Sequence, residues 1–189
     1  MTETINDKAR DMLTHAEPLY SAEEIQQTLT DMAARLNSDF DRADHTTPPL
    51  VLSIMGGATI FTGQLLPRLT FPLEFDFIHV SRYGNEEYGG EIIWKVIPRQ
   101  NVINRTVIVL DDILDEGQTL LHVREKLMEM GAAKVVLVAL AEKNTGATKP
   151  VKADYVGLSV PNRYVIGFGM DIHGFWRNLP DIRVLNKEP

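Results

Sequence analysis

Apolar positions along the chain follow two spacings, and their succession predicts the layout of the fold. Ile25, Leu29, Met32, Leu36 and Phe40 recur at helical intervals, forming one stripe on a helix of 3.6-residue period. Ser21 and Glu24 stand just ahead of that stripe in capping-box spacing, so an amphipathic helix is expected over residues 22–40. Short apolar runs rich in β-branched residues come next, at 50–54, 106–110 and 134–141, with mixed strand-like stretches at 74–80 and 91–97 and briefer candidates at 154–158 and 164–168. The near-continuous apolar runs read as strands buried on both faces. A tight turn at 55–59 leads into a helix reaching about residue 69, and a second amphipathic helix spans 117–130, with Gly131 placed to end it. Residues 1–20 are weakly patterned, 41–49 form a polar linker ending in proline, and the polar, glycine-rich 81–90 reads as a mobile loop. The tail carries a Trp-Arg-Asn-Leu-Pro turn at 176–180. Strands alternating with helices predict an α/β fold with an open, mostly parallel, twisted sheet flanked by helices. Ligands of such sheets bind beyond the carboxyl ends of the strands.

Bulk properties narrow the function without naming it. The 189 residues suffice for one domain with a full core. No repeat or composition break suggests a second domain, so 1–189 is read as one unit. The net charge of −7 offers no basic footprint for nucleic acid, which calls for clustered Lys and Arg. The absence of cysteine removes disulfides, thiolate zinc sites and a Cys nucleophile. The first ten residues are polar, without a signal-peptide core. The longest apolar run, 135–141, is too short to span a bilayer. A cytoplasmic protein that binds neither membrane nor nucleic acid is expected.

Candidate chemistry concentrates after the run at 106–110. Asp111 and Asp112 follow it directly, then two apolar residues, then Asp115, and Glu116-Gly117-Gln118-Thr119 opens a helix. This places carboxylates beside the free N–H groups of a helix N-terminus, which favours a phosphate. The carboxylates suit a divalent cation or sugar hydroxyls. Read alone, the same acids serve equally as solvated loop residues or helix-capping aids. The loop lacks the lysine and the length of a Walker A motif, so a monophosphate fits it better than a nucleoside triphosphate.

The stretch from Val107 to Leu120 resembles the motif of type I phosphoribosyltransferases over more than ten consecutive positions: apolar strand, two acids, two apolar residues, Asp, a small residue (here Glu116), Gly, any residue, Thr. From about Leu50 to Leu185 the chain is similar to the hypoxanthine-guanine branch of that family. The resemblance implies a core at about 50–145, with the N-terminal segment and 154–189 forming a small hood, and a mobile hairpin lid. It also implies transfer of ribose 5-phosphate from phosphoribosyl pyrophosphate to a 6-oxopurine, with Mg²⁺.

Carried onto matching positions, the resemblance makes Asp115 the general base. Asp111 and Asp112 then bind the ribose hydroxyls and orient the metal shell. Glu116 (through its backbone), Gly117, Gln118 and Thr119 cradle the 5-phosphate. Asp111 stands where Glu is common, and Glu116 where Thr is usual, so the Glu116 carboxylate is expected to face away from the phosphate. Met55 and Gly56, which otherwise read as a strand-to-helix turn, match a pyrophosphate-binding backbone; Met55 replaces a frequent lysine. Ser81, Arg82 and Tyr83 match the lid, where the residues alone suggest a hairpin loop. Lys143, otherwise a solvated residue past a strand end, matches the donor to the purine 6-oxo group. Tyr164 matches the ring that stacks on the base, and Val165 the backbone that pairs with the base's edge. Asp171 matches a Mg²⁺ site and Arg177 a pyrophosphate contact; a surface ion pair between them is the plain alternative.

The five histidines show no ligand spacing, although His173 lies close to Asp171, and Trp94 and Trp176 read as packing residues. The function expected is purine salvage on hypoxanthine or guanine. The alternatives are a xanthine-preferring relative and a nucleotide-sensing, nucleic-acid-binding regulator of the same fold. The resemblance implies a homodimer or homotetramer.

Overall fold

The computed structural model describes residues 4–41, 47–83 and 91–186. Its elements run α1 (Ile5–Thr14), β1 (Ala16–Tyr20), α2 (Ala22–Phe40), β2 (Leu50–Met55), α3 (Ala58–Leu65), a 3₁₀ turn (Leu66–Arg68), β3 (Glu74–Tyr83), β4 (Glu91–Val96), β5 (Thr106–Leu114), α4 (Gln118–Glu129), β6 (Lys134–Asn144), β7 (Tyr155–Pro161), β8 (Val165–Ile166) and β9 (Ile182–Leu185). Six strands form the main sheet in the order β4-β3-β2-β5-β6-β7. All neighbours are parallel except the edge strand β4, which runs antiparallel to β3.

The unbroken apolar runs are explained by helices on both faces. Val51, Ile108, Leu110, Val136, Val138 and Leu140 face α2 and α3, whose Ile25, Leu29, Met32, Leu36, Phe61 and Leu65 complete that core. The intervening Leu50, Leu52, Val107, Val109, Leu137 and Ala139 face α4 through Leu120, Val123 and Leu127. This is the two-residue alternation of a strand, with both faces apolar. Each fully buried Leu, Ile, Val or Phe contributes about 1.5–3 kcal/mol. The helix over 22–40 forms as expected, and the Ser21–Glu24 capping box is present in both directions. Gly131 ends α4 with φ +95°, a conformation glycine adopts without strain.

A second, smaller antiparallel sheet of order β1-β9-β8 brings together the two ends of the chain, with Ala16 opposite Leu185 and Val165 opposite Val184. Ala16, Ile166, Ile172 and Leu185 form its core, with Met12, Leu13, Trp176 and Leu179 packed around them. Trp176 also donates from Nε1 to the carbonyl of Ala9 at 2.8 Å, tying the tail to α1. The sequence pattern missed α1, β1 and β9. β1 contains Pro18 and only five residues, β9 only four, and both acquire their regular form from each other rather than from a local period.

Three further boundaries differ from expectation. β5 continues to Leu114, so Asp111 and Asp112 lie within the strand rather than after it, and parallel pairing with β6 holds from Thr106–Lys134 to Leu114–Glu142. β6 extends to Asn144, which places Lys143 inside the sheet opposite Val160 of β7. Ser81, Arg82 and Tyr83 continue β3 and pair with Ile93, Ile92 and Glu91 of β4. In each case sheet pairing carries polar residues past the end of the apolar run. The rest of the expected lid, 84–90, lies outside the described residues.

Candidate active site

The carboxyl ends of β2 and β5 open into a cavity of about 460 Å³, whose wall includes Met55, Gly56, Asp111, Asp112, Thr119 and Arg177. Asp111 is buried, and its Oδ1 accepts the Asp112 N–H at 3.1 Å. Burial, together with the neighbouring Asp112 charge, pushes the Asp111 carboxyl well above the usual carboxylate range. Burial raises Asp112 as well, against the opposing pull of its hydrogen bond with Asp111 and of the Arg177 charge. Two carboxylates so placed repel each other, and the arrangement favours a partner that brings positive charge or hydroxyl donors.

The close packing around Asp112 depends on two glycines. A Cβ at Gly57, the residue that opens α3, would fall 2.0 Å from Oδ2 of Asp112. A Cβ at Gly169 would fall 2.1 Å from the carbonyl oxygen of Gly57, and Gly169 adopts φ +106°. The start of α3, the end of β5 and the turn at 167–170 therefore interlock with no space for side chains. The Met55–Gly56 peptide beside them is cis.

Past Leu114 the chain turns through Asp115 and Glu116 to Gly117, which caps α4 in the left-handed region at φ +88°. The first helical bond is from Leu121 N–H to the Gly117 carbonyl at 2.9 Å. The preceding N–H groups of α4 have no intrahelical acceptor, an arrangement that favours an anion at a helix N-terminus. Gly117 and Thr119 line the cavity, whereas Gln118 is exposed and stands outside its wall.

A second hollow of about 340 Å³ shares Asp115 and Glu116 with the first and is completed by residues including Lys143, Arg163, Tyr164 and Asn186. Where the two meet, Lys143 Nζ donates to Asp115 Oδ2 at 2.5 Å. Nζ also lies 6.0 Å from the centre of the Tyr164 ring, which is half exposed. Val165 is buried in β8 beside it. Arg163 braces the far wall, donating to the Leu185 carbonyl and to Asn186 Oδ1, both at 2.6 Å.

Asp171 and Arg177 close the first cavity opposite the acids. Their oxygen and nitrogen are 2.5 Å apart, Asp171 Oδ2 accepts the Gly174 N–H at 2.6 Å, and Arg177 donates to the Gly169 carbonyl at 2.6 Å. The two residues therefore form an ion pair, and that pair sits at the cavity wall. Met55 lines the cavity and accepts at its sulfur from Thr59 Oγ1 at 3.2 Å. Glu116 is half buried on the wall of both hollows. Ser81 is half buried in β3. His173 is exposed, and neither hollow includes it. Sequence reasoning missed Gly57, Gly169, Arg163 and Asn186. The Gly-x-Gly spacing at 167–169 was the one available signal, since Arg163 and Asn186 meet only through the small sheet.

Comparisons with known proteins show the family and the fold. The phosphoribosyl transferase domain family matches residues 15–173. A curated hypoxanthine-guanine phosphoribosyltransferase from Bacillus subtilis is 36% identical over 170 residues, covering 88% of this chain and 91% of that protein. The chain belongs to the hypoxanthine-guanine phosphoribosyltransferase family. A crystal structure of a hypoxanthine phosphoribosyltransferase from Staphylococcus aureus superposes with a TM-score of 0.84 at 30% identity, covering 93% of this chain and 94% of that one. The fold is that of the type I phosphoribosyltransferases. The bifunctional TilS/HprT protein of Listeria monocytogenes is 38% identical over 173 residues, 90% of this chain, and the match spans 26% of that longer protein.

Proposed function

We propose that this protein is a purine salvage enzyme that transfers the 5-phosphoribosyl group from phosphoribosyl pyrophosphate to hypoxanthine and guanine, giving IMP or GMP and pyrophosphate. The observation that carries this reading is the Lys143–Asp115 contact at the junction of the two hollows. A 6-oxopurine presents an acceptor, O6, next to an imidazole N–H at N7. That edge replaces the ion pair with two hydrogen bonds, Lys143 donating to O6 and Asp115 accepting from the ring. A 6-amino group would set a donor against an ammonium, so the pair selects the oxo form.

The remaining residues take complementary parts. Tyr164 stacks on the base and the Val165 backbone meets its edge. Asp111 and Asp112 bind the ribose hydroxyls, while Gly117, Gln118 and Thr119, with the Glu116 backbone, hold the 5-phosphate at the α4 N-terminus. The Gln118 contribution is its N–H, because its side chain is exposed. Met55, Gly56, Ser81, Arg82, Tyr83 and Arg177 form the pyrophosphate side. The 50–145 core thus supplies the sugar and 5-phosphate contacts together with Asp115 and Lys143 at the base edge, and the small sheet acts as a hood over the base. N9 of the purine bonds to the anomeric carbon as the bond to pyrophosphate breaks. Asp115 takes or shares the purine proton, and Lys143 stabilises the charge that develops on the ring.

The donor set fits Mg²⁺ bound largely through substrate. Hard carboxylate oxygens line the cavity at Asp111, Asp112 and Asp171, yet no cluster of three or more potential ligands forms a cage among the described residues. Mg²⁺ typically takes one or two carboxylates and completes its shell with water and substrate phosphates. Held by these carboxylates, Mg²⁺ would supply charge neutralisation of the pyrophosphate leaving group. Asp171 must exchange its Arg177 contact to take part.

The protein acts as a homodimer or homotetramer in the cytoplasm, and no helix among the described residues is long and apolar enough to cross a membrane. Incubation with phosphoribosyl pyrophosphate, Mg²⁺ and each purine base in turn tests the reading. Nucleotide is expected from hypoxanthine and guanine. Product from xanthine alone would make it a xanthine-preferring relative. No product from any 6-oxopurine, with tight nucleic-acid binding in a gel shift, would make it a regulator.

A further inference from the structure

Lys149 is tied to the ends of both strands that carry the purine-facing pair. Its Nζ lies 2.6 Å from the Lys143 carbonyl, 3.0 Å from the Leu114 carbonyl and 3.1 Å from Glu142 Oε1. An ammonium has three protons to donate, and three acceptors surround this one. The side chain is only 9% exposed. Its acceptors straddle the last rung of the β5–β6 ladder, Leu114 opposite Glu142. One carbonyl belongs to the residue before Asp115, and the other to Lys143 itself. Beyond this rung β5 turns away toward Gly117, and no further ladder bond sets the spacing of the two strand ends.

The segment that follows Lys149 supports the same region from behind. A Cβ at Gly117 would meet Val151 at 3.1 Å and Pro150 at 3.4 Å, so the 149–151 segment also walls the left-handed cap of α4. Lys149 lines neither of the two hollows; it lies on a third, formed by the 142–152 segment. It therefore reaches the proposed substrate positions only through the residues it holds.

We propose that Lys149 is a positioning residue for phosphoribosyl transfer, fastening the ends of β5 and β6 so that Asp115 and Lys143 meet the purine edge in one fixed register. This rests on the reading in which that pair engages the base. Asp115 leaves β5 one residue after a held carbonyl, and Lys143 is itself held by its carbonyl. Loosening the clamp lets the two heads drift apart while leaving the ribose acids, higher in the ladder, in place. The effect falls on the base rather than on phosphoribosyl pyrophosphate.

The test compares Lys149→Met, which keeps length and removes the donors, with wild type, Glu142→Gln and Asp115→Asn in steady-state kinetics for both substrates. Lys149→Met is expected to lower kcat/KM for hypoxanthine by about 10- to 100-fold, the scale of a misplacement near 1 Å, with KM for phosphoribosyl pyrophosphate changed less than about twofold. Glu142→Gln keeps both carbonyl contacts and is expected to change either parameter by less than about threefold. In Lys149→Ala, added propylammonium is expected to restore part of the lost turnover by filling the vacated donor position, which provides a readout if the methionine variant folds poorly. Wild-type purine kinetics in Lys149→Met would overturn the proposal. So would equal losses for both substrates with no amine rescue, the outcome of general loosening. An Asp115→Asn variant with unchanged kinetics would instead refute the underlying role of the pair.

Discussion

Lys143 Nζ and Asp115 Oδ2 stand 2.5 Å apart, although 28 positions separate them in sequence. They belong to neighbouring strand ends whose register is set by Leu114 opposite Glu142. Each satisfies the other, so no unpaired charge is left in a half-buried site; in the reaction proposed above, adjacent atoms of a 6-oxopurine would take both places.

Removing the basic oxygen while preserving shape tests Asp115. Asp115→Asn is expected to lower kcat by about 10²- to 10³-fold, with phosphoribosyl pyrophosphate affinity changed far less. Steady-state kinetics with both substrates varied, together with a direct binding measurement, separates the two. Weakened binding at unchanged turnover would remove the general-base role.

Lys143→Met should act on discrimination. The ratio of kcat/KM for hypoxanthine over adenine is expected to narrow by about 10- to 100-fold, mainly through loss of the hypoxanthine reaction. A parallel fall for both bases would assign Lys143 a packing role instead.

Asp111 is predicted to lower stability in exchange for function. Its folded-state value is raised by burial and by the Asp112 charge. Its contribution is therefore fully favourable below the ordinary value of 3.8 and is lost as pH rises through the folded value. At neutral pH the ionised form is a cost, which Asp111→Asn relieves. A gain of about 1–2 kcal/mol is expected, raising Tm by about 2–4 °C per kcal/mol, with reduced activity. Thermal melts at pH 7 and near pH 4 check the sign, because the gain should shrink as the wild-type carboxyl protonates. A variant that melts below wild type at pH 7 would contradict it.

The two interlocked glycines separate function from folding. In Gly57→Ala the new Cβ meets the Asp112 carboxylate at 2.0 Å, a side-chain end that can swing aside. Activity is expected to fall by more than about tenfold with Tm nearly retained. Gly169→Ala instead meets the Gly57 carbonyl at 2.1 Å, on backbone at φ +106°. It should destabilise by about 2–4 kcal/mol and lower activity with it. Paired melts and rates decide; similar Tm losses in both variants would refute the distinction.

The sequence by itself determined the layered core and the acid-bearing loop. Residues 50–54, 106–110 and 134–141 form buried strands because all but Ser53, Thr106 and Lys134 are apolar and both faces meet helices. Ile25 to Phe40 form a helix because their spacing matches its turn. The order of acids, glycine and threonine at the end of β5 and in the turn into α4 was legible for the same reason, as those residues lie within one short segment. Only the tertiary structure decided what depends on partners far along the chain. β1 and β9 exist through their mutual pairing, Gly57 must lack a side chain because Asp112 lies against it, and Lys149 reads as a loop lysine until Leu114 and Lys143 are seen to share it. Periodicity reports contacts a few residues away, whereas register and close approach are settled when distant strands pack, and those contacts bring Asp115 and Lys143 together.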